Sequence, residues 1–203
     1  MDKDTDLRYI KTEKLIKSVF LELMEEIGFQ KITVRKLVER AEINRSTFYL
    51  HYTDKFALLH RIENDLFVTI KTAAISALAD KIKKGDFDEE TIMPLMLMAS
   101  RYIYANNKLY SLLMSEKGDP SFTSRIGENI KTVLFEKQML GLLTIPQKYA
   151  IAAVTGIISG LIGEWLKGGF HETPEEYVQI ALKIVKNIPG NIFMHADSPA
   201  HSV

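Results

Sequence analysis

The chain has 203 residues, of which 46% are hydrophobic, and its 26 basic residues are balanced by 26 acidic ones. This composition is typical of a soluble protein with a buried core, and the length allows one large domain or two modest ones. Cysteine is absent, which excludes disulfides and thiolate metal sites and favours a reducing, cytoplasmic location. The first residues are charged and include no apolar segment of the kind that directs export.

The charge is unevenly distributed, although the formal net charge is zero. Between Lys31 and Lys55 there are six lysines and arginines and only three acidic residues. A local excess of this kind is compatible with binding to a phosphate backbone, and it is also usual on a solvated face.

The N-terminal part of the chain has the pattern of short and long helices. Apolar residues at three- and four-residue spacing predict an amphipathic helix over about residues 8–27, which Gly28 would end as a C-terminal cap. Thr33 opens a short second helix. Asn44 is a suitable N-cap for a third short helix, because its side chain can accept hydrogen bonds from the free amides of the first turn.

A fourth and longer helix is predicted from Lys55 toward Lys83, with Asp54 as its N-cap. Two short helices joined by a tight turn, with a third behind them, have the arrangement of a helix-turn-helix, whose second short helix enters the major groove of DNA. Phe48 and Tyr52 can pack inward on that helix. Its first turn remains exposed and contains Arg45, Ser46, Thr47 and Tyr49. A groove suits this set, which offers an arginine for guanine, small hydroxyls and a phenol for phosphate.

Residues 28–59, GFQKITVRKLVERAEINRSTFYLHYTDKFALL, resemble the DNA-binding domain of TetR/AcrR-family transcriptional regulators. The residues that carry the resemblance stand in the order of the family pattern: Gly28, Phe29, Thr33, Val34, Thr47, Phe48, Tyr49, Tyr52 and Lys55. The resemblance implies an all-α protein with an N-terminal three-helix helix-turn-helix DNA-binding domain and a helical C-terminal regulatory and dimerisation domain. We expect these domains in residues 1–54 and 55–190, followed by a flexible tail in residues 191–203.

Carried over by position, the resemblance implies two groups of DNA contacts. Phosphate contacts would come from Thr33, Tyr49, His51 and Lys55. Base-edge contacts would come from Arg35, Arg45, Ser46 and Thr47. Three of these residues have structural alternatives, because Thr33 can cap the second helix, Arg35 can be a solvated surface residue, and His51 can pack on Tyr52.

The resemblance also implies a homodimeric repressor that binds a palindromic double-stranded DNA operator and is released from it by a small apolar effector. The alternative is an activator or co-regulator controlled by a partner protein, because residues 108–126 resemble a regulatory domain found in some such regulators. An enzyme is disfavoured, since the five histidines form no metal pair at helical spacing and no nucleophile or phosphate-loop motif is present. A binding protein that has lost DNA binding is disfavoured by Arg45, Tyr49 and Lys55. No cofactor, metal ion or membrane is expected.

Five further helices are predicted over about residues 88–104, 107–116, 120–140, 147–168 and 174–188, since Gly, Pro or Asn punctuates the breaks between them. One cluster of flexible and aromatic side chains is suited to an adaptable apolar pocket or to ordinary core packing. It consists of Met93, Met96, Leu97, Met98, Tyr102, Tyr110 and Met114.

The penultimate helix contains the most apolar run of the chain, Tyr149–Leu166. This run is shorter than the ~20 apolar residues that a membrane-spanning helix needs, so a buried helix is expected. Small residues at four-residue spacing predict that another helix approaches closely, either in a dimer or within one subunit. The predicted dimer contact consists of Ala152, Gly156, Gly160, Gly163 and Trp165, with the last helix beside them.

Overall fold

The computed structural model describes residues 3–82, 89–135 and 146–186, and within these ranges the chain forms helices and no strand. The helices are α1 (Lys3–Ile27), α2 (Val34–Arg40), α3 (Arg45–His51), α4 (Lys55–Ile82), α5 (Glu89–Ala105), α6 (Asn107–Met114), α7 (Phe122–Phe135), α8 (Gln147–Lys167) and α9 (Pro174–Lys186), with a 3₁₀ turn at Phe29–Lys31. The predicted all-α fold is confirmed. The predicted tail and the predicted continuation of α7 to residue 140 lie outside the described residues.

The described residues form two compact units. The first unit contains the residues up to Leu66 together with Leu112–Phe122. The second unit contains Phe67–Ser111 and the residues from Thr123 onward. The predicted boundary after residue 54 therefore differs from this division, because the start of α4 and a segment from the middle of the chain pack with the helix-turn-helix.

The core of the first unit is built on the apolar face of α1. Buried residues of this face are Ile16, Val19, Phe20, Leu23 and Met24. Phe20 packs edge to face on Phe29 of the 3₁₀ turn, with ring centroids 6.1 Å apart. Gly28 ends α1 as predicted, since its φ of 80° lies in the left-handed region that favours glycine. Its amide donates to the carbonyl of Met24 at 3.0 Å.

Side chains cap two of the predicted helix starts. Oγ1 of Thr33 accepts the amide of Lys36 at 3.2 Å before α2, and Oδ1 of Asp54 accepts the amide of Ala57 at 2.8 Å before α4. Asn44 precedes α3 with extended backbone, but its side chain makes no hydrogen bond to the first-turn amides, all of which lie in the described residues. Helix α3 therefore begins where predicted, whereas the predicted side-chain cap is wrong.

A network of charged side chains links α1 to the first turns of α4. Nζ of Lys17 lies 2.9 Å from Oε1 of Glu13 and 2.7 Å from Oδ2 of Asp65. The hydroxyl of Tyr52 donates to Oε1 of Glu13 at 3.2 Å, which joins the residue after α3 to the same network. The hydrogen bond from Lys17 lowers the pKa of Glu13, while burial raises the pKa of the Tyr52 hydroxyl.

The segment Leu112–Phe122 closes the C-terminal end of α1. The amide of Phe29 donates to the carbonyl of Lys117 at 2.8 Å, and Nζ of Lys117 donates to the carbonyl of Glu25 at 2.5 Å. The last carbonyls of a helix lack partners within it, so the second bond satisfies a group that α1 cannot satisfy itself.

An aromatic cluster lies at the junction of α8 and α9 in the second unit. Trp165 stacks on Tyr177 with ring centroids 4.2 Å apart, and Phe170 packs edge to face on the indole at 4.9 Å. The indole Nε1 donates to the carbonyl of Glu172 at 3.0 Å. Trp165 is only 3% exposed, so it offers almost no surface to a partner subunit, contrary to the expectation from sequence.

Helix α8 is apolar but only partly buried in the single chain, whereas the sequence predicts a buried helix. Residues Lys148–Lys167 have the length and the mean hydropathy (1.5) of a membrane span, and they form the one such helix in the described residues. Of the most apolar 18 residues of this helix, 22% are buried. One helix of this kind is weak evidence for a membrane, because core helices of soluble proteins share these properties. Gly156 and Gly160 face open space, since a Cβ atom placed on either would meet, within 4 Å, no described atom other than the adjoining residues and backbone of its own helix, whereas Gly163 is buried.

Candidate DNA-binding surface

The buried side of α3 fixes the helix to the first unit. Phe48 is completely buried and Tyr52, which follows the helix, is 7% exposed. The turn before α3 is tight: Glu42 has a φ of 52°, and the amide of Ile43 donates to the carbonyl of Val38 at 3.1 Å. These contacts set the rotation of α3 about its axis and therefore decide which residues face outward.

The exposed side of α3 is continuous and carries most of the predicted contacts. Successive residues of an α-helix are rotated by about 100°, which places Ser46 and Leu50 in the centre of the side opposite Phe48. Arg45 and Tyr49 flank this centre on one side and Thr47 on the other. Tyr49 is 52% exposed and Leu50 is 76% exposed, while Arg45 and Ser46 are also exposed. The structure thus brings Arg45, Ser46, Thr47 and Tyr49 together on one surface.

Thr33 and Arg35 stand at the exposed start of α2. The Thr33 hydroxyl oxygen accepts the amide of Lys36, so the capping role considered from the sequence is present, and the hydroxyl hydrogen can still be donated. Nε of Arg35 lies 2.7 Å from Oε1 of Glu39, and the arginine side chain is 79% exposed. An exposed pair of this kind contributes little to stability and exchanges partners readily. Contacts of both residues with DNA stay predictions.

Lys55 serves a structural purpose that the sequence did not reveal. Its Nζ donates to the carbonyls of Phe29, Gln30 and Ile32 at 3.0, 3.2 and 2.9 Å, and it lies 4.6 Å from the centre of the Phe29 ring. Desolvation of the ammonium group lowers the pKa of Lys55. Since an ammonium group has three hydrogen-bond donors, the predicted phosphate contact requires Lys55 to release or share one of these carbonyls.

His51 packs on a residue that sequence analysis missed. Its ring stacks on Tyr9 of α1 with centroids 4.0 Å apart and an angle of 27° between the planes, whereas the ring of Tyr52 is tilted at 6.1 Å. Nδ1 of His51 is buried without a hydrogen-bond partner in the described part of the chain, and burial lowers the pKa of the imidazole. A phosphate contact from His51 would therefore use Nε2.

The predicted pocket residues are distributed over both units. Tyr110 is buried, at 2% exposure, in the second unit, whereas Met114 belongs to the first unit. Met93 and Leu97 line an open groove of about 700 Å³ along α5 and α9. The other lining residues are His171, Glu172, Glu175, Glu176, Val178, Gln179, Ile180 and Lys183. The groove therefore combines an apolar floor with a charged rim, and six of the seven residues of the predicted cluster remain in one unit.

Two family models match this chain. The family described as "Bacterial regulatory proteins, tetR family" matches residues 19–62, which include the helix-turn-helix. The family described as "Transcriptional regulator C-terminal region" matches residues 90–187. The chain belongs to the TetR family of transcriptional regulators, and α2 and α3 are the helix-turn-helix of its DNA-binding domain. Family membership points to a DNA-binding regulator and not to an enzyme.

Solved structures share the fold over nearly the whole chain. A TetR transcriptional regulator from Streptococcus agalactiae 2603V superposes with a TM-score of 0.65 at 23% identity, covering 90% of this chain and 98% of that one. NalD, the secondary repressor of the MexAB-OprM multidrug efflux pump in Pseudomonas aeruginosa, superposes with a TM-score of 0.65 at 16% identity, covering 88% and 96%. At these identities the likeness shows the fold alone.

A relative by sequence is the uncharacterized HTH-type transcriptional regulator YxbF of Bacillus subtilis (strain 168). It is 24% identical over 108 residues, which represent 51% of this chain and 26% of YxbF. The chain thus spans about a quarter of the length of this relative.

Proposed function

We propose that this regulator is a cytoplasmic repressor, which binds a palindromic operator as a homodimer and leaves the DNA when an effector binds. The observation that carries the proposal is the exposed face of α3, which presents Arg45, Ser46 and Tyr49 while Phe48 anchors the helix from behind. In a helix-turn-helix this face lies in the major groove, where N-terminal residues of the helix meet base edges. NalD, which shares the fold, is itself described as a repressor.

The side chains divide by chemistry into two sets of DNA contacts. Arginine can donate two hydrogen bonds to guanine, and small hydroxyl residues can approach base edges closely, so we assign base contacts to Arg35, Arg45, Ser46 and Thr47. Phosphates would be bound by the hydroxyl, imidazole and ammonium donors of Thr33, Tyr49, His51 and Lys55, of which Lys55 must first release or share one of its three carbonyls.

The proposed dimer contact is the exposed face of α8. Few residues of this apolar helix are fully buried in the single chain, and a second copy of the same helix is the simplest cover for the rest in a symmetric dimer. Ala152, Gly156 and Gly160 are exposed and lie at four-residue spacing on one side of the helix. Without side-chain bulk there, the backbones of two subunits can approach closely. Gly163 is buried, so it would support this contact from within the subunit.

The proposed effector site is the groove along α5 and α9. Its apolar floor includes Met93, Leu97 and Val178, and methionine adapts to ligands of irregular shape. Glu172 lines the groove and accepts the hydrogen bond of Trp165, the only tryptophan of the chain. Tryptophan fluorescence would therefore respond to an occupant of the groove.

The experiment that tests the proposal is selection of bound sequences from random duplex DNA with the full-length protein. We expect an enriched palindrome whose half-sites are about one helical turn, roughly 34–36 Å, apart. Two chains per duplex are expected by analytical ultracentrifugation, and a reporter gene behind the selected operator should be expressed more strongly without the protein. An enriched site without symmetry, bound by one chain, would contradict the dimeric proposal, and a reporter that needs the protein for expression would contradict repression.

A further inference from the structure

Leu50 is the most exposed of the large apolar side chains in the described part of the chain, at 76% exposure. It stands on α3 one turn after Ser46, in the centre of the side opposite the buried Phe48. Single exposed leucines are common on protein surfaces and need no explanation in general. This one, however, occupies the middle of the face that a helix-turn-helix places in the major groove.

The major groove offers one apolar group to such a side chain. Base edges there carry hydrogen-bond donors and acceptors, and thymine adds a C5-methyl group. A leucine cannot satisfy the donors and acceptors, so at this position it would disfavour base pairs that present only polar groups. Against a methyl group, in contrast, both apolar surfaces are removed from water on binding.

We propose that Leu50 is a specificity-determining residue that packs on the C5-methyl group of one thymine in each operator half-site. The inference rests on the proposed function, since it needs α3 in the groove. Ser46 and Leu50 are one helical turn apart, about 5.4 Å, and stacked base pairs are about 3.4 Å apart. For a helix that lies along the groove, the thymine is one or two base pairs from the base contacted by Ser46.

The test uses the full-length protein and its selected operator, in which each thymine is replaced in turn by deoxyuridine. This replacement removes the methyl group and leaves the hydrogen-bonding edge of the base unchanged. We expect a loss of affinity of about fourfold at one position of a half-site, which is the effect of leaving one methyl group unburied. The same position in the other half-site should show the same loss.

The Leu50→Ala variant identifies the side chain responsible. It should bind the thymine and uracil operators with equal affinity, whereas Leu50→Met, which keeps an apolar contact, should retain most of the difference. Leu15→Ala is the matched control, because Leu15 is an exposed leucine of the same unit, at 43% exposure, on α1. Leu15→Ala should lose as much affinity as wild type when uracil replaces the thymine. Leu50 buries little surface, so its replacement should leave the circular dichroism spectrum unchanged.

The outcomes separate this inference from the proposed function. One outcome is that the protein binds its operator specifically, although no position shows a loss of affinity on uracil that disappears in Leu50→Ala. That result would overturn the role of Leu50 and leave the proposed function intact. If uracil at one position lowers the affinity of wild type and of Leu50→Ala equally, the methyl group is contacted by another residue. If no duplex is enriched at all, the proposed function fails and the inference fails with it.

Discussion

Lys55 links the start of α4 to the 3₁₀ turn before α2 through its three hydrogen bonds to backbone carbonyls, and its replacement should destabilise the first unit. Lys55→Met keeps most of the aliphatic stem and removes all three donors. The bonds to the carbonyls of Phe29 and Ile32 are partly buried, whereas the bond to Gln30 is exposed. A hydrogen bond from a charged donor contributes about 1.5–3 kcal/mol, and water can replace the exposed one.

The magnitude follows from the two partly buried bonds and the Phe29 ring. Two such bonds give at most ~6 kcal/mol, but the freed carbonyls regain some water, and burial of the ammonium group already opposes its charge. Loss of the cation–π contact adds about 0.5–1 kcal/mol at a site of this exposure. We therefore expect Lys55→Met to lower the free energy of unfolding by ~2–4 kcal/mol.

Two measurements distinguish this role from a phosphate contact. Urea unfolding followed by circular dichroism reports the stability, and amide hydrogen exchange over residues 28–40 should accelerate in the variant. Lys31→Met is the matched control, since Lys31 is an exposed lysine of the adjacent 3₁₀ turn and should change neither result. The structural role would be refuted if Lys55→Met were as stable as wild type while the slope of log affinity for DNA against log salt concentration fell by about one unit. Lys55 would then be assigned to a phosphate contact.

Three further predictions concern specificity, pH and assembly. Arg45→Ala should reduce discrimination at one base pair by about 1–3 kcal/mol, measured on operators altered at single positions, and equal weakening on all sequences would instead indicate a phosphate contact. The pKa of Glu13 is lowered, first by its hydrogen bond with Lys17, so the ionised carboxylate stabilises the fold above its ordinary pKa of 4.5 and this contribution is lost as the pH falls through the lowered value. Glu13→Gln should accordingly unfold at lower urea concentration than wild type at pH 7 and approach wild type in acid, and a difference independent of pH would exclude the carboxylate charge as the cause. Gly160→Leu should yield folded monomers, because overpacking costs about 1–3 kcal/mol and a symmetric contact incurs it twice; a variant that still sediments as a dimer would place the contact elsewhere.

Local patterns in the sequence predicted the helices well, because helix ends are decided by neighbouring residues. Gly28 ends α1 through its own backbone conformation, and Thr33 and Asp54 bond amides only three residues further along the chain. The inward orientation of Phe48 also follows from helical spacing once the start of α3 is known. Asn44 shows the limit of this approach, since its position was predicted correctly but its side-chain bond was not.

Contacts between residues distant in sequence could not be predicted in the same way. The sequence around Lys55 is the same whether its ammonium group binds phosphate or the carbonyls of an earlier turn. Trp165 likewise fits an apolar helix face whether that face is covered by the same chain or by another one. Nothing in the spacing of Tyr9 and His51 indicates that their rings stack, because the contact depends on how α1 crosses the end of α3.

If an effector binds the second unit as proposed, it must act on α3 through the chain segments that connect the units, and Leu112–Phe122 is one of these segments. The chain passes between the two units at three points: within α4 at Leu66–Phe67, and at the two ends of this segment, Ser111–Leu112 and Phe122–Thr123. Lys117 bonds both the amide of Phe29 and the carbonyl of Glu25, and Phe29 in turn supplies one of the carbonyls held by Lys55. Coupling between two sites in a protein is typically about 1–3 kcal/mol. The backbone bond between Phe29 and Lys117 contributes about 0.5–1.5 kcal/mol, whereas the bond from Nζ of Lys117 to Glu25 is exposed and can be replaced by water. If the proposed effector-bound state lacks the two Lys117 bonds, we expect operator affinity to change by at most about 10-fold, roughly 1.4 kcal/mol, without unfolding of any helix.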